Sequence, residues 1–306
     1  MYKRENSVTG YQREAGDPGV GRGQARGMDL RPELPQTTRE IVGVDLTHTV
    51  YTTDVAASAK GGSGGGGSGG GGTTTTFAPY TSGPATASAG YNITIEFKGS
   101  WTQAYYDIFK ASADRLTSLI VGELQDVSVR TKGGIKAVDD ILITAELGAI
   151  DGLYGILGQA GPTAVRTSNS LPATAQMKFD IADVNDMGLA AFADVVLHEM
   201  AHSLGFGSIW DRLGLVTNGL FTGTKAVAEY HAMGGTAAGI PVEQDGGSGT
   251  AGSHWDEEIF GNELMTGYIN EGENYFTAMS AASFADMGYV INPNYASLSD
   301  AGYVFA

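Results

Sequence analysis

The stretch VVLHEMAHSLGFGSIW, residues 195–210, decides how the rest of the chain is read. It sets His198, Glu199 and His202 in the order HExxH. On a helix, side chains four apart stand one above the other on one face, so His198 and His202 present their imidazoles to a single point. Glu199 is turned from them by about 100°. It is poorly placed as a third ligand but well placed to reach a water held at that point. Two metal ligands and a general base are what this spacing supplies. HExxH arises by chance about once in a hundred chains of this length, so its context has to decide. The preceding turn carries Phe192, Val195, Val196 and Leu197, which docks the helix in a core. Gly205, three residues after His202, suits the left-handed conformation that ends a helix and turns the chain back. The metal reading, with Zn2+ as the ion, follows.

Zinc in a hydrolytic site takes three protein ligands and keeps a fourth position for water. Six residues beyond His202 stands Ser208, so the third ligand comes from farther along. His48, His231 and His254 are the remaining histidines. His254 belongs to SHWDEEIFGNELMTGY, residues 253–268, and Met265 follows it by eleven positions in a short polar turn. The same segment offers Glu257, Glu258 and Glu263 to a site with a carboxylate ligand. The residues alone rank His254 first by a small margin.

Charge narrows the partners. The net charge is −16, and residues 179–306 hold seventeen acids against Arg212 and Lys225 alone. Nucleic acid, which needs a basic face, is excluded as a partner. A solvated acidic surface is the plainer use of this charge; attraction of cationic peptides and structural Ca2+ are the sharper ones. The chain has no cysteine, which rules out disulfides, thiolate ligands and a thiol that could block a zinc site. With 42% apolar residues, a sizeable core is expected, yet no run reaches the length of a membrane helix. The first residues, MYKRENSVTGYQREAG, contain no apolar core of a secretory signal.

Residues 1–60 read as a disordered or propeptide-like arm, with one apolar patch at IVGVDLTHTVYTTDV (41–55). Residues 61–90, opening with GGSGGGGSGGGGTTTT, form a flexible linker. Order begins at YNITIEFK, where Tyr91, Ile93, Ile95 and Phe97 alternate with polar residues as in a half-buried strand. Ser100 and Gln103 suggest a capping box for a long helix that Gly122 would end. VSVR, DDILITAEL and MKFD read as strands, GLYGILGQAGP (152–162) as a glycine-rich loop, and 190–204 as the motif helix. Residues 205–253 are weakly patterned, helical signal returns at 278–289, and 296–306 form a tail. The order predicts an α+β domain: a twisted mixed sheet packed on a long helix and an active-site helix.

LHEMAHSLGFG together with HWDEEIFGNELMTG resembles the leishmanolysin-like metzincins, where an insertion separates HExxHxxG from the third histidine and ELM supplies a methionine turn. The similarity runs over residues 91–294 and includes VDDILITAE, GILGQAGP, MKFDIADV and FADMGYVIN, which look like bacterial-type members. The resemblance implies a zinc endopeptidase whose ligands are His198, His202 and His254, with Glu199 as base and Met265 in the turn. Ser208 then has no ligand role, and Tyr268 is a packed aromatic. It also implies a peptidase domain over 91–295, with a zinc cleft between subdomains 91–205 and 206–295. Substrates would be proteins or peptides, laid along the MKFD strand as an edge, and the location extracellular or at the cell surface. The absent cysteines part this chain from the disulfide-rich eukaryotic members. Two rivals predict different things. A non-catalytic surface binding module with structural zinc needs a fourth protein ligand. A gluzincin-type peptidase uses Glu263 in place of His254.

Overall fold

The alternation at 91–98 has its physical counterpart in burial: Tyr91, Ile93 and Ile95 are fully buried, while Thr94, Glu96 and Phe97 are half-buried. The structure is a computed structural model that describes residues 39–40, 42–43, 74–131, 134–247, 249–270 and 272–305. His48, most of the arm and residues 61–73 of the linker lie outside the described residues.

Two short strands come from the arm, β1 (Arg39–Glu40) and β2 (Val42–Gly43). They are followed by β3 (Tyr80–Ser82), β4 (Ile93–Lys98) and helix α1 (Gln103–Leu119). A hairpin of β5 (Val127–Thr131) and β6 (Gly134–Val138) leads to β7 (Ile141–Gly148), β8 (Gly158–Val165) and β9 (Pro172–Asp180). Six strands form one mixed sheet in the order β2-β8-β9-β7-β4-β3. Its centre, β4, β7 and β9, is parallel, and β3 and β8 run antiparallel on either side.

Four sequence expectations need correction here. The glycine-rich stretch is half strand: β8 begins at Gly158, and its paired glycine and proline hid the pattern. MKFD is the end of a nine-residue strand that lies inside the sheet, between β8 and β7, and has no free edge. Helix α1 starts at Gln103, capped by Thr102, whose hydroxyl accepts the Tyr105 N–H at 3.2 Å, rather than at Ser100. It stops at Leu119, before Gly122, because Ile120 turns extended to bridge Ile291.

Asp180 ends β9 and caps α2 (Ile181–Ser203): one carboxylate oxygen accepts from Ala182 N–H at 2.8 Å, and the other takes Ile150, Asp151 and Gly152 N–H. The loop before β8 is thereby tied to the start of the motif helix. Gly188, at φ 80° and ψ 166°, kinks α2, so the motif lies on its second limb. This limb packs against α1, β8 and β9 through a cluster of Phe109, Phe179 and Phe192 in edge-on contact. Each such pair adds about 0.5–1.5 kcal/mol beyond the area it buries.

The stretch after the motif holds short elements: α3 (Trp210–Leu213), β10 (Val216–Thr217), β11 (Leu220–Phe221), α4 (Thr224–Ala232) and β12 (Ile240–Pro241). They are followed by α5 (Glu257–Phe260), β13 (Tyr268–Ile269) and α6 (Ala278–Met287), and α4 packs on α6. Phe206, Trp210, Phe221 and Trp255 stack with ring centroids 4.6–5.4 Å apart. This cluster joins the chain just past the motif helix to the residue next to His254. The last residues pack back as well: Tyr303 donates to the Phe260 carbonyl, and Phe305 meets Tyr230 and Phe260. Among the described residues, no helix is long and apolar enough to cross a membrane.

Candidate metal centre

The second limb of α2 brings His198 and His202 into one buried position, with Nε2 atoms 2.8 Å apart. His254 arrives from the loop before α5 and is equally buried. Its Nε2 lies 2.9 Å from that of His202 and 3.2 Å from that of His198. His254 has been carried fifty-two positions past His202, over the whole insert, to reach this point.

Protons make the arrangement informative. Each Nδ1 faces a backbone carbonyl: His198 that of Leu264 at 2.7 Å, His202 that of Phe206 at 2.8 Å, His254 that of Thr250 at 3.0 Å. A carbonyl only accepts, so each Nδ1 carries the hydrogen of a neutral imidazole and each Nε2 is a bare lone pair. Three lone pairs then converge with no proton to share. Burial, with the neighbouring imidazoles, holds His198 and His202 well below the ordinary histidine range and His254 at about 4, so protonation does not relieve the contact. A cation does. Tetrahedral zinc with Zn–N of about 2.0–2.1 Å places its nitrogens about 3.3 Å apart, close to what is found.

Local sequence explains the geometry. Gly205, at φ 106°, lets α2 end in a turn where Phe206 N–H reaches back to the Ala201 carbonyl, which aims the Phe206 carbonyl at His202. Ser208 donates its hydroxyl to the carbonyls of His202 and Phe206, and so fastens this turn. Gly207 sits against Ser253, where a Cβ would come within 2.0 Å of the Ser253 carbonyl oxygen. Any side chain there would push back the segment that ends in His254.

Glu199 is fully buried beside the imidazoles in sequence, and neither of its carboxylate oxygens has a hydrogen-bond partner among the described residues. Burial pushes it well above the ordinary carboxyl range. Gly158, at the start of β8, lies over it: a Cβ at that position would stand 2.8 Å from Oε1. A buried, unpartnered carboxylate costs on the order of 1–3 kcal/mol or more, and groups kept at such expense cluster at functional sites.

The other acids go elsewhere. Glu263 is fully buried, but its carboxylate accepts from Met265 N–H at 2.6 Å, Thr277 Oγ1–H at 2.8 Å, Thr277 N–H at 3.2 Å and the Ser280 hydroxyl. Burial raises it to about 7 against those donors. Glu257 accepts from the Asn270 side chain at 2.8 Å, and Glu258 is exposed. The group of three imidazoles includes none of them, so the carboxylate-ligand alternative is corrected: His254, not Glu263, meets the pair. His231 sits exposed on α4 with its ring nitrogen on the Ala237 carbonyl. Met265 is fully buried, and its carbonyl accepts Trp255 N–H at 3.0 Å, which ties it to the residue after His254. Tyr268 is buried in β13. Glu123, Asp139 and Asp140 form the other gathering of acids with ligand spacing among the described residues, at the β5–β7 end, with Asp140 engaged by the backbone N–H groups of Asn92 and Leu124.

Gly158, Gly207 and the lock around Glu263 escape a reading of sequence. Glycine is frequent here, with 46 residues, so no single one stands out, and ELM does not say whether its acid binds a metal or a backbone.

The leishmanolysin model of peptidase family M8 matches residues 130–298, more than half of the chain. The chain belongs to the leishmanolysin family. A leishmanolysin homolog of Crithidia fasciculata is 28% identical over 170 residues, covering 51% of this chain and 25% of its own length. Leishmanolysin of Leishmania major is 28% identical over 185 residues, covering 56% of this chain and 30% of its own length. That of Leishmania tropica is 26% identical over 186 residues, 56% and 27% of the two chains. The match spans less than a third of these curated relatives. Within this leishmanolysin-family chain, the matched segment contains all three imidazoles, Glu199 and Met265.

Proposed function

We propose that this chain is a zinc-dependent endopeptidase that cleaves protein or peptide substrates. The observation that carries the reading is three buried Nε2 lone pairs 2.8–3.2 Å apart with their protons committed to carbonyls. Membership of a peptidase family supports it, and with three ligands in the group the fourth position falls to water, as catalytic zinc requires. A bound zinc would polarise the scissile carbonyl and acidify that water. The charge of such an ion would favour the ionised form of Glu199 despite its burial, and the carboxylate could then take the water's proton and return it to the leaving amine. Leu264, Phe206 and Thr250 hold the ring tautomers throughout through their carbonyls. The cleft lies between residues 91–205 and 206–295, and the enzyme works outside the cell or on its surface. Purified full chain should cleave casein, lose that activity to a chelator and regain it with added zinc; chelator-resistant cleavage of equal rate contradicts the reading.

The substrate's place moves from MKFD to β8, whose first residue covers Glu199 and whose outer edge has no interior strand beside it. An extended peptide adds to such an edge through its backbone. In the structure that edge pairs in parallel with Val42–Gly43, while Arg39–Glu40 pairs with β13, shortly after the methionine turn. The arm therefore acts as a propeptide that occupies the substrate's edge. Adjacent strand residues point their N–H groups to opposite sides, so replacing both Val42 and Gly43 with proline removes the donor facing β8. One or two backbone hydrogen bonds, about 0.5–1.5 kcal/mol each, correspond to roughly a tenfold gain in kcat/KM. Unchanged kcat/KM in an active protein removes the inhibitory role.

A further inference from the structure

We propose that Glu263 is the positioning residue of the site, locking the methionine turn onto α6 so that two of the three imidazoles are held from one buried carboxylate. The inference rests on the zinc reading above and assigns a task to a fully buried acid that this chemistry does not use.

The connections can be followed atom by atom. On one side, Thr277 and Ser280 at the start of α6 donate to Oε1 of Glu263. On the other, Oε2 takes Met265 N–H at 2.6 Å, which fixes the peptide joining Leu264 to Met265. The oxygen of that same peptide is the Leu264 carbonyl that receives the Nδ1 hydrogen of His198 at 2.7 Å. Leu264 N–H is held as well, on the Tyr275 carbonyl at 2.8 Å. One planar unit thus has its N–H on Glu263 and its oxygen on His198, and rotating either moves the other.

The second connection runs to His254. Ser280, while donating to Glu263, accepts the indole N–H of Trp255 at 2.8 Å. Trp255 N–H is bound to the Met265 carbonyl at 3.0 Å. The residue after His254 is therefore clamped by side chain to Ser280 and by backbone to Met265, both partners of Glu263. Glu263, Ser280 and Trp255 are all fully buried, so water cannot substitute for a lost partner. A network of this kind orients ligands without touching the metal.

Zinc affinity, measured by competition with a chromophoric chelator on the full chain, tests the proposal without reference to turnover. Glu263→Ala should weaken zinc binding by about 10–100-fold, the usual effect of removing an outer partner of a ligand. Glu263→Gln keeps the shape but only one acceptor oxygen, so it can take the α6 donors or Met265 N–H and not both, and it should recover only part of the affinity. Ile143→Ala, in the fully buried centre of β7, supplies a destabilised control far along the sheet. If Glu263→Ala binds zinc no more weakly than that control, the positioning role is wrong. Should Glu263→Ala fail to fold, Ser280→Ala removes a single hydroxyl; weaker zinc binding supports the lock and parental affinity overturns it. A parent protein that binds no zinc overturns the peptidase reading and this one together, whereas a zinc-binding parent with indifferent variants removes only the lock.

Discussion

Glu199→Gln lowers kcat by about 10²–10⁴-fold, the range a positioned general base contributes, and leaves one zinc bound. The amide keeps the shape that fits beneath Gly158, so peptide binding and KM stay near the parent values. What is lost is the ability to take a proton. A second consequence runs against intuition for a buried site. Both carboxylate oxygens of Glu199 are buried without a partner, at a cost to the metal-free fold. Burial holds the metal-free acid in its neutral form, so the amide exchanges one uncharged polar group for another of the same shape, and the metal-free variant melts close to the parent. Activity falls while stability stays near that of the parent. Comparable kcat in parent and variant would show that another group takes the proton; a large fall in melting temperature would show that Glu199 is a structural residue.

His254→Ala has the other large effect. Loss of an outer partner already weakens a bound zinc by about 10–100-fold, and loss of a ligand exceeds that, so the variant should be zinc-free at ordinary buffer concentrations and inactive. His198 and His202 stay in place, because their Nδ1 hydrogens remain on the Leu264 and Phe206 carbonyls. No acid is ready to replace the missing imidazole: Glu263 is held by Met265, Thr277 and Ser280, and Glu257 by Asn270. Parental zinc affinity in His254→Ala would mean that an acid of the 256–263 segment serves after all. Equilibrium dialysis with zinc decides between the two.

Legibility followed how local each signal was. The motif helix and Gly205 could be read because helix periodicity and a glycine stop act over a few residues. The strand at 91–98 could be read because one face is buried and the other is wetter. Strand β8 could not, since it opens on Gly158, which must leave room for Glu199, and Gly161 and Pro162 interrupt its pattern. Strand β9 was seen only at its end, because its first half, Pro172–Gln176 in part small residues such as Ala173 and Ala175, lies inside the sheet and carries no alternation. The insert at 206–253 is built of elements two to nine residues long, which hold their shape through the Phe206–Trp210–Phe221–Trp255 stack rather than through local preference. His254 needed the resemblance to stand above its neighbouring acids. The geometry that brings it to the pair depends on Gly207 and Trp255, forty-eight positions apart in sequence.

The central claim is that three imidazoles bind one ion. X-ray absorption at the zinc edge, on parent protein and on His254→Ala, tests it most directly. The parent should hold one zinc per chain with three imidazole nitrogens at about 2.0–2.1 Å and one further oxygen ligand, and the variant should show no such spectrum. A parent without stoichiometric zinc, or a parent and variant with the same imidazole count, would contradict the account.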